Sequence, residues 1–308
     1  MYISVVIPLY NKAQSIKNTL NSVLSQSFQG FEIVVVDDGS TDNSAEVVNS
    51  VDDKRIRLIS KENGGVCSAR NRGIKEAKYD YIALLDADDG WDKDYLAEQV
   101  RLIEDFPEAA MWGINFAPVY KGKIYQVFET GLKSGFRGYV DDYFNIPNRV
   151  SDLFCSSSVV INRNILDNVG YFDERIKYAE DIDVWWRIAS CNKIVFYDRI
   201  MVFYIHDAEN RALNKEVKLR DYLPYYADKF KLFKKYSTYY KYVNNWCAVK
   251  LKYYFTQKKY KGDVYAAVKK LDYEVLPLKY KLYFKSPRYL GLVLFNVIEF
   301  IHNLKLRI

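Results

Sequence analysis

Two apolar runs in this chain end in clusters of carboxylates. Val34-Val35-Val36 leads into Asp37-Asp38-Gly39-Ser40-Thr41-Asp42, and Leu84-Leu85 leads into Asp86-Ala87-Asp88-Asp89. Three acids within four residues repel one another unless a cation neutralises them, and hard carboxylate oxygens suit Mg²⁺ or Mn²⁺. Mg²⁺ is commonly held by one or two carboxylates together with substrate phosphates, which is the economy of a nucleotide diphosphate site. The competing reading is a solvated acidic turn, and two acidic strand ends in one sheet weigh against it. A further acid, Asp181, opens a helix whose Val184, Trp185 and Ile188 stand at i+3, i+4 and i+7, so it shares their apolar face. Indole neighbours desolvate a carboxylate and raise its pKa, while a helix N-terminus opposes that rise. Either way the group can accept a proton near neutrality. Glu180 and Asp183 point about 100° and 200° away from it, which favours Asp181 as the base; its competing role is a helix N-cap. His206, one of two histidines, follows the apolar run Met201–Ile205. Imidazole is a plausible additional ligand for Mn²⁺, and the competing reading is a surface histidine in a turn.

These residues need a scaffold that brings distant strand ends together. Ile3–Leu9, Glu32–Val36, Ile56–Ile59 and Tyr81–Leu85 read as buried strands. Ser15–Ser25, Ala45–Val51 behind Asp42 as cap, Ser68–Ala77 and Asp94–Glu104 read as helices between and after them. Alternation of apolar strands with helices predicts an α/β fold with a mainly parallel sheet covered on both faces. Ligands of such sheets bind at the carboxyl ends of the strands, which is where the acidic clusters fall.

The segments Val5-Val6-Ile7-Pro8-Leu9-Tyr10-Asn11, Val34 to Asp42, Asn63-Gly64-Gly65, Ala69-Arg70-Asn71-Arg72-Gly73 and Leu85 to Asp89 occur in an order and spacing that resembles the family 2 glycosyltransferases of the GT-A fold. The likeness runs over about residues 1–115, with a further match at Glu180-Asp181 before Trp185-Trp186-Arg187. The resemblance implies a nucleotide-sugar donor, usually UDP-linked, an inverting transfer to an acceptor hydroxyl, and a divalent metal. It places Pro8, Tyr10, Asp37, Asp38, Arg70, Asp86 and Ala87 at the nucleotide sugar. Tyr10 would pack on the base, Asp37 would meet the base edge, and Asp38 would orient the loop or the ribose. Arg70 would help hold the nucleotide and Asp86 would meet the ribose. Asp88 and His206 would bind Mn²⁺ or Mg²⁺, and Asp181 would be the catalytic base. No second carboxylic acid is needed, unlike in glycoside hydrolysis, because the leaving group is a diphosphate.

Charge divides the chain. Residues 214–308 hold 21 Lys/Arg against 7 Asp/Glu and 15 of the 28 tyrosines, whereas residues 1–213 carry a net charge of −8. The expected organisation is a catalytic domain over 1–213, with a nucleotide-sugar half to 115 and an acceptor half after it, followed by a basic helical tail. Tyr120–Asp152 and Cys155–Ser158 are expected to frame the acceptor site. Lys229–Tyr242, Ala248–Tyr260 and Val264–Leu271 read as helices. Tyr289–Ile301 is apolar with flanking lysines and arginines, and such a segment can lie in an anionic membrane interface. The expected acceptor is a growing glycan or its lipid-linked precursor. No apolar run reaches the roughly 18 residues of a membrane span, and the opening segment reads as a strand rather than a signal peptide. The expected location is cytoplasmic, at most peripheral on the inner face of the membrane. The scattered Cys67, Cys155, Cys191 and Cys247 argue against a structural zinc site. Absence of GxGxxG after the first strand disfavours a dehydrogenase, and the chain holds no P-loop. A nucleotidyltransferase would need a Gly-rich loop after its first strand, and no nucleic-acid motif accompanies the basic tail. The rival of a different class is a catalytically silent sugar-nucleotide-binding or membrane scaffold.

Overall fold

The computed structural model describes residues 1–147, 152–211, 217–234, 237–255, 257–287, 290, 293 and 295–297. Residues 148–151 of the expected acceptor frame and most of Tyr289–Ile301 lie outside the described residues. The chain separates into two compact units, Met1–Glu216 and Val217–Ile308.

The first unit is built on a ten-stranded sheet. β1 (Ile3–Leu9), β2 (Phe31–Asp37), β3 (Ile56–Ser60) and β4 (Tyr81–Leu84) are parallel, in the order β3-β2-β1-β4. They alternate with α1 (Ile16–Leu24), α2 (Ser44–Asn49) and α3 (Val66–Glu76). Alternate strand residues face opposite layers. Ile3, Val5, Ile7 and Leu9 pack with Ile16, Leu20 and Val23 of α1 in one fully buried cluster. On the other face α3 lies against β1 so closely that a Cβ at Gly73 would meet Val6 Cγ1 at 2.4 Å. That approach fixes glycine at position 73.

Beyond β4 the sheet is mixed. β5 (Gly90–Trp91), α4 (Tyr95–Asp105), β6 (Ala109–Tyr120), β7 (Lys123–Ile124) and β8 (Arg137–Tyr139) come next. β9 (Val159–Asn162), α5 (Arg163–Val169), α6 (Glu180–Ala189) and β10 (Lys193–Ile205) complete the unit. β9 runs antiparallel between β4 and β6, and β6 and β10 pair in parallel. The parallel sheet read from the sequence therefore holds across the first four strands and gives way to a mixed one. β10 passes β6 with a register shift between Tyr197 and Val202, then pairs antiparallel with β5. This brings its carboxyl end beside the Asp86–Asp89 turn.

The second unit differs from its expected outline. Turns of 3₁₀ helix over Leu223–Phe233 precede one long helix, α7 (Ser237–Phe255), where two separate helices were expected. Tyr239, Val243, Cys247, Leu251 and Phe255 recur every fourth position and are all buried, a stripe that runs straight through the polar Asn244-Asn245 pair. Asn244 does not break the helix because its buried amide is satisfied: Nδ2 donates to Tyr240 O (2.9 Å) and Oδ1 accepts from Asp272 N (3.0 Å). α8 (Lys261–Val268) and α9 (Leu278–Lys285) follow, and Phe255, Tyr283 and Phe284 meet ring against ring.

Candidate active site

β1 and β2 end level with each other, Leu9 opposite Asp37, and Asp38 N donates to Leu9 O at 2.8 Å. Leu85 N donates to Val6 O at 3.1 Å, so the Asp86–Asp89 turn leaves the sheet beside Pro8. A cleft of about 490 Å³ opens over these ends. Pro8, Tyr10 and Lys12 line it from the end of β1, Asp38 and Asn63 to Gly65 from the β2 side, and Asp86 to Asp89 from β4. Arg70, Ser156, Glu174, Glu180, Asp181, Tyr204 and Arg211 are among the residues of the remaining wall. Of the residues singled out in the sequence, Pro8, Tyr10, Asp38, Arg70, Asp86, Ala87, Asp88 and Asp181 are thus brought together in one cavity. Asp37 and His206 are not among its lining residues.

Each carboxylate at the cleft has a distinct environment. Asp38 accepts from Gly64 N (3.0 Å), Gly65 N (2.7 Å) and Lys61 Nζ (2.6 Å), while its carbonyl accepts from Asn63 Nδ2. Those bonds all serve the Lys61–Gly65 loop, whose Gly65 has φ +89°. Asp37 Oδ1 accepts from Ser40 N at 3.0 Å and closes the turn after β2. Asn11, itself left-handed at φ 52°, accepts from Thr41 N through Oδ1 and donates from Nδ2 to Thr41 Oγ1, joining the two loops.

Arg70 is 2% exposed and grips two acids, Asp86 Oδ1 at 2.7 Å and Glu180 Oε1 at 2.9 Å. Asp89 is fully enclosed. It accepts from Ser157 Oγ (2.5 Å) and Ile205 N (3.1 Å), and burial together with Asp88 and Asp86 pushes its carboxyl well above the usual range. Asp88 is raised chiefly by burial, against the opposing pull of Lys12, whose Nζ lies 2.6 Å from its Oδ2. Lys12 is itself only 9% exposed. Sequence reasoning missed this lysine, although it stands two positions after Tyr10.

Among the described residues no lysine or arginine forms an ion pair with Asp181. It follows Ala179, a non-glycine residue at φ 61° that opens α6. Left-handed backbone at alanine carries a cost of about 1–2 kcal/mol, and the turn it makes presents the helix start to the cleft. Val184, Trp185 and Ile188 are fully buried beneath. Burial, with Glu180 next in effect, pushes the Asp181 carboxyl up to about 7, against the lowering pull of Arg70 and Ile182 N. Its Oδ2 lies 3.5 Å from Ser156 Oγ.

Asp88 lines the cleft with hard carboxylate oxygens, one of them paired with the Lys12 ammonium. His206 Nδ1 is hydrogen-bonded to the Tyr125 hydroxyl, and its Nε2 is buried without a partner. A cation held by one carboxylate plus substrate phosphates is compatible with this donor set, and an imidazole oriented through its other nitrogen is the usual form of a ligating histidine. Among the described residues no three His, Cys, Asp or Glu side chains form a ready-made metal cluster.

Residues 4–170 match the model of glycosyl transferase family 2. The chain belongs to that family. Similar proteins include an uncharacterized glycosyltransferase of Rickettsia felis, 35% identical over 203 residues, which are 64% of this chain and 32% of the relative. The poly-beta-1,6-N-acetyl-D-glucosamine synthase of Staphylococcus aureus is 31% identical over 194 residues, 60% of this chain and 45% of that one. Matches to these two family members thus span a third to under a half of the relatives' own length. Among solved structures, S. aureus TarS 1-349 in complex with UDP-GlcNAc has a TM-score of 0.73 at 20% identity, covering 99% of this chain and 92% of that one. The shared fold is the GT-A fold expected from the sequence, with a helical C-terminal region.

Proposed function

We propose that this family 2 glycosyltransferase moves a sugar from a UDP-sugar to an acceptor hydroxyl with inversion, in the synthesis of a cell-surface polysaccharide or other glycan. The observation that carries the proposal is a carboxylate at a helix start, Asp181, that no lysine or arginine pairs among the described residues and that is pushed up to about 7 in the same cleft as the Asp86–Asp89 turn. Support for the donor comes from TarS, whose crystal structures hold UDP-GlcNAc and UDP. Support for the product class comes from the polysaccharide synthase relative.

In the reaction the acceptor oxygen forms a bond to the anomeric carbon from the face opposite the departing diphosphate. The bond from that carbon to the β-phosphate oxygen breaks, and Asp181 takes the hydroxyl proton as the oxygen attacks. Asp38 holds the Lys61–Gly65 loop against the donor side, and Tyr10 presents a ring for the base. Mn²⁺ or Mg²⁺, when bound, would neutralise charge growing on the leaving diphosphate; Asp88 and His206 Nε2 are the groups that would hold it.

Calorimetry with UDP, GDP and dTDP, each with Mn²⁺ and with chelator, tests the reading. Metal-dependent binding of UDP is expected, and Asp88→Ala should weaken it by about tenfold or more. Unchanged Mn²⁺ dependence would remove Asp88 from the metal, and no binding of any nucleotide would favour the silent scaffold.

For the basic unit we propose a peripheral contact with an anionic membrane surface, where a lipid-linked acceptor would lie. Leu290, Val293 and Val297 are helical, spaced i, i+3 and i+7, and 53%, 57% and 50% exposed, whereas Phe295 is buried. No helix among the described residues is long and apolar enough to cross a membrane. Replacing the three exposed residues with serine should cut binding to anionic vesicles about tenfold or more, with little loss on neutral ones; equal binding by variant and parent would discard the contact.

A further inference from the structure

One turn of 3₁₀ helix, Ser156–Ser158, leads into β9, and all three of its serines are buried. β9 pairs antiparallel with β4, so this turn stands beside the Asp86–Asp89 turn that follows β4. Its own shape is held from several sides. Ser158 N donates to Cys155 O at 3.0 Å, Cys155 N donates to Ser158 Oγ at 3.0 Å, and Trp91 Nε1 donates to Ser157 O at 2.7 Å.

The Ser157 hydroxyl is used in both directions. It donates to Asp89 Oδ2 at 2.5 Å and accepts from Asp86 N at 3.1 Å, so one side chain touches both ends of the acidic turn. Asp89, 2% exposed, is engaged at its other oxygen by Ile205 N, and its own N donates to Asp86 O at 3.0 Å. One residue earlier, Ser156 lines the cleft, and its Oγ lies 3.5 Å from Asp181 Oδ2. Consecutive serines therefore reach two acidic groups that are far apart in sequence, the turn after β4 and the start of α6. A misplacement of about 1 Å between reacting groups can cost about a hundredfold in rate. The spacing of these two groups is thus a quantity that a rigid bridge can protect.

We propose that Ser157 and Ser156 are positioning residues: Ser157 sets the Asp86–Asp89 turn and Ser156 orients the Asp181 carboxylate, so that one buried turn fixes the spacing between the leaving diphosphate and the base. This rests on the nucleotide-sugar reading of the cleft.

The test compares the full chain with its Ser157→Ala and Ser156→Ala variants, with thermal unfolding as the folding control. Calorimetry with UDP and Mn²⁺ reads the acidic turn. Carbon-13 NMR of the aspartate carboxyl groups, with Asp181→Asn to assign the signal, reads the protonation of Asp181. Removing the Ser157 hydroxyl leaves Asp89 Oδ2 and Asp86 N without that partner, so Ser157→Ala should weaken UDP about tenfold and leave the Asp181 midpoint in place. Ser156→Ala should do the opposite. It keeps UDP affinity and raises the Asp181 midpoint by about half a pH unit, because a hydroxyl that donates to the ionised form is lost. Ser157→Cys, whose thiol is a weaker donor of similar shape, should fall between parent and alanine variant, and it decides the matter where Ser157→Ala does not fold. Unchanged UDP affinity in the Ser157 variants overturns the proposal while leaving the donor reading intact, and so does an unmoved midpoint in Ser156→Ala. Weaker UDP together with a moved midpoint in both alanine variants overturns it in favour of a purely structural turn. A parent chain that binds no UDP overturns the donor reading and this proposal together.

Discussion

Asp181→Asn should lower transfer by about 10²–10⁴-fold while UDP affinity stays within about threefold. The amide keeps the shape of the side chain and its bond from Ile182 N, and loses the lone pair that accepts the proton. A carboxyl pushed up to about 7 also predicts an acid limb near pH 7 in kcat/KM for the parent. Activity rises as the group ionises, and the limb vanishes from the residual activity of the variant. The same group sets a stability trend of known sign. Its folded pKa lies above the ordinary 3.8, so the folded state binds the proton more tightly than the unfolded chain does. The stability this contributes is fully present below about pH 4 and is lost as the pH rises through about 7. Asparagine mimics the protonated form, so the variant should melt about 2–5 °C higher than the parent at pH 8, with a smaller gain at pH 5. Equal loss of transfer and of UDP binding would give Asp181 a structural role. A gain in melting temperature independent of pH would mean that its carboxyl is not buried as the structure shows.

The sequence made the first half of the sheet and its loaded ends readable for a simple reason. Buried parallel strands are continuous apolar runs, so the polar residues that follow them stand out, and Tyr10, Asp38, Asp86 and Asp88 do meet in one cleft. What each side chain does there was less legible. Arg70 read as a nucleotide contact and does line the cleft, but its grip on Asp86 and Glu180, partners 16 and 110 residues away, left no local trace. Lys12 and Arg211 gave no local signal at all, because their setting arises only when β10 returns to β1. β5 and β8 are two and three residues long, too short for a period to register. In the second unit lysine and tyrosine mix on every face, so helix limits could not be taken from amphipathicity, and the fourfold stripe of α7 became evident only through its burial.

Arg70→Met should destabilise the first unit by about 3–5 kcal/mol, the largest stability effect expected of any side chain at the cleft. The guanidinium is nearly inaccessible, with 3% side-chain exposure, and faces Asp86, Glu180 and the Asp181 carboxylate beyond. Methionine fills similar volume along the stem but leaves the two paired acids facing each other without a cation in a low-dielectric cleft. Breaking a buried pair costs more than deleting it whole. The triple variant Arg70→Met, Asp86→Asn, Glu180→Gln should therefore regain a large part of the loss, and the non-additivity separates charge from packing. Urea unfolding followed by tryptophan fluorescence reads this unit well, since Trp91, Trp112, Trp185 and Trp186 all lie in it. A triple variant no more stable than Arg70→Met would assign the arginine's contribution to packing against Phe172, 5.3 Å from its Cζ, rather than to the acids. Recovery of stability without recovery of transfer would show that the clamp serves two ends: it holds Asp86 and Glu180 together at the cleft, and it pulls the Asp181 carboxyl down against the rise that burial causes.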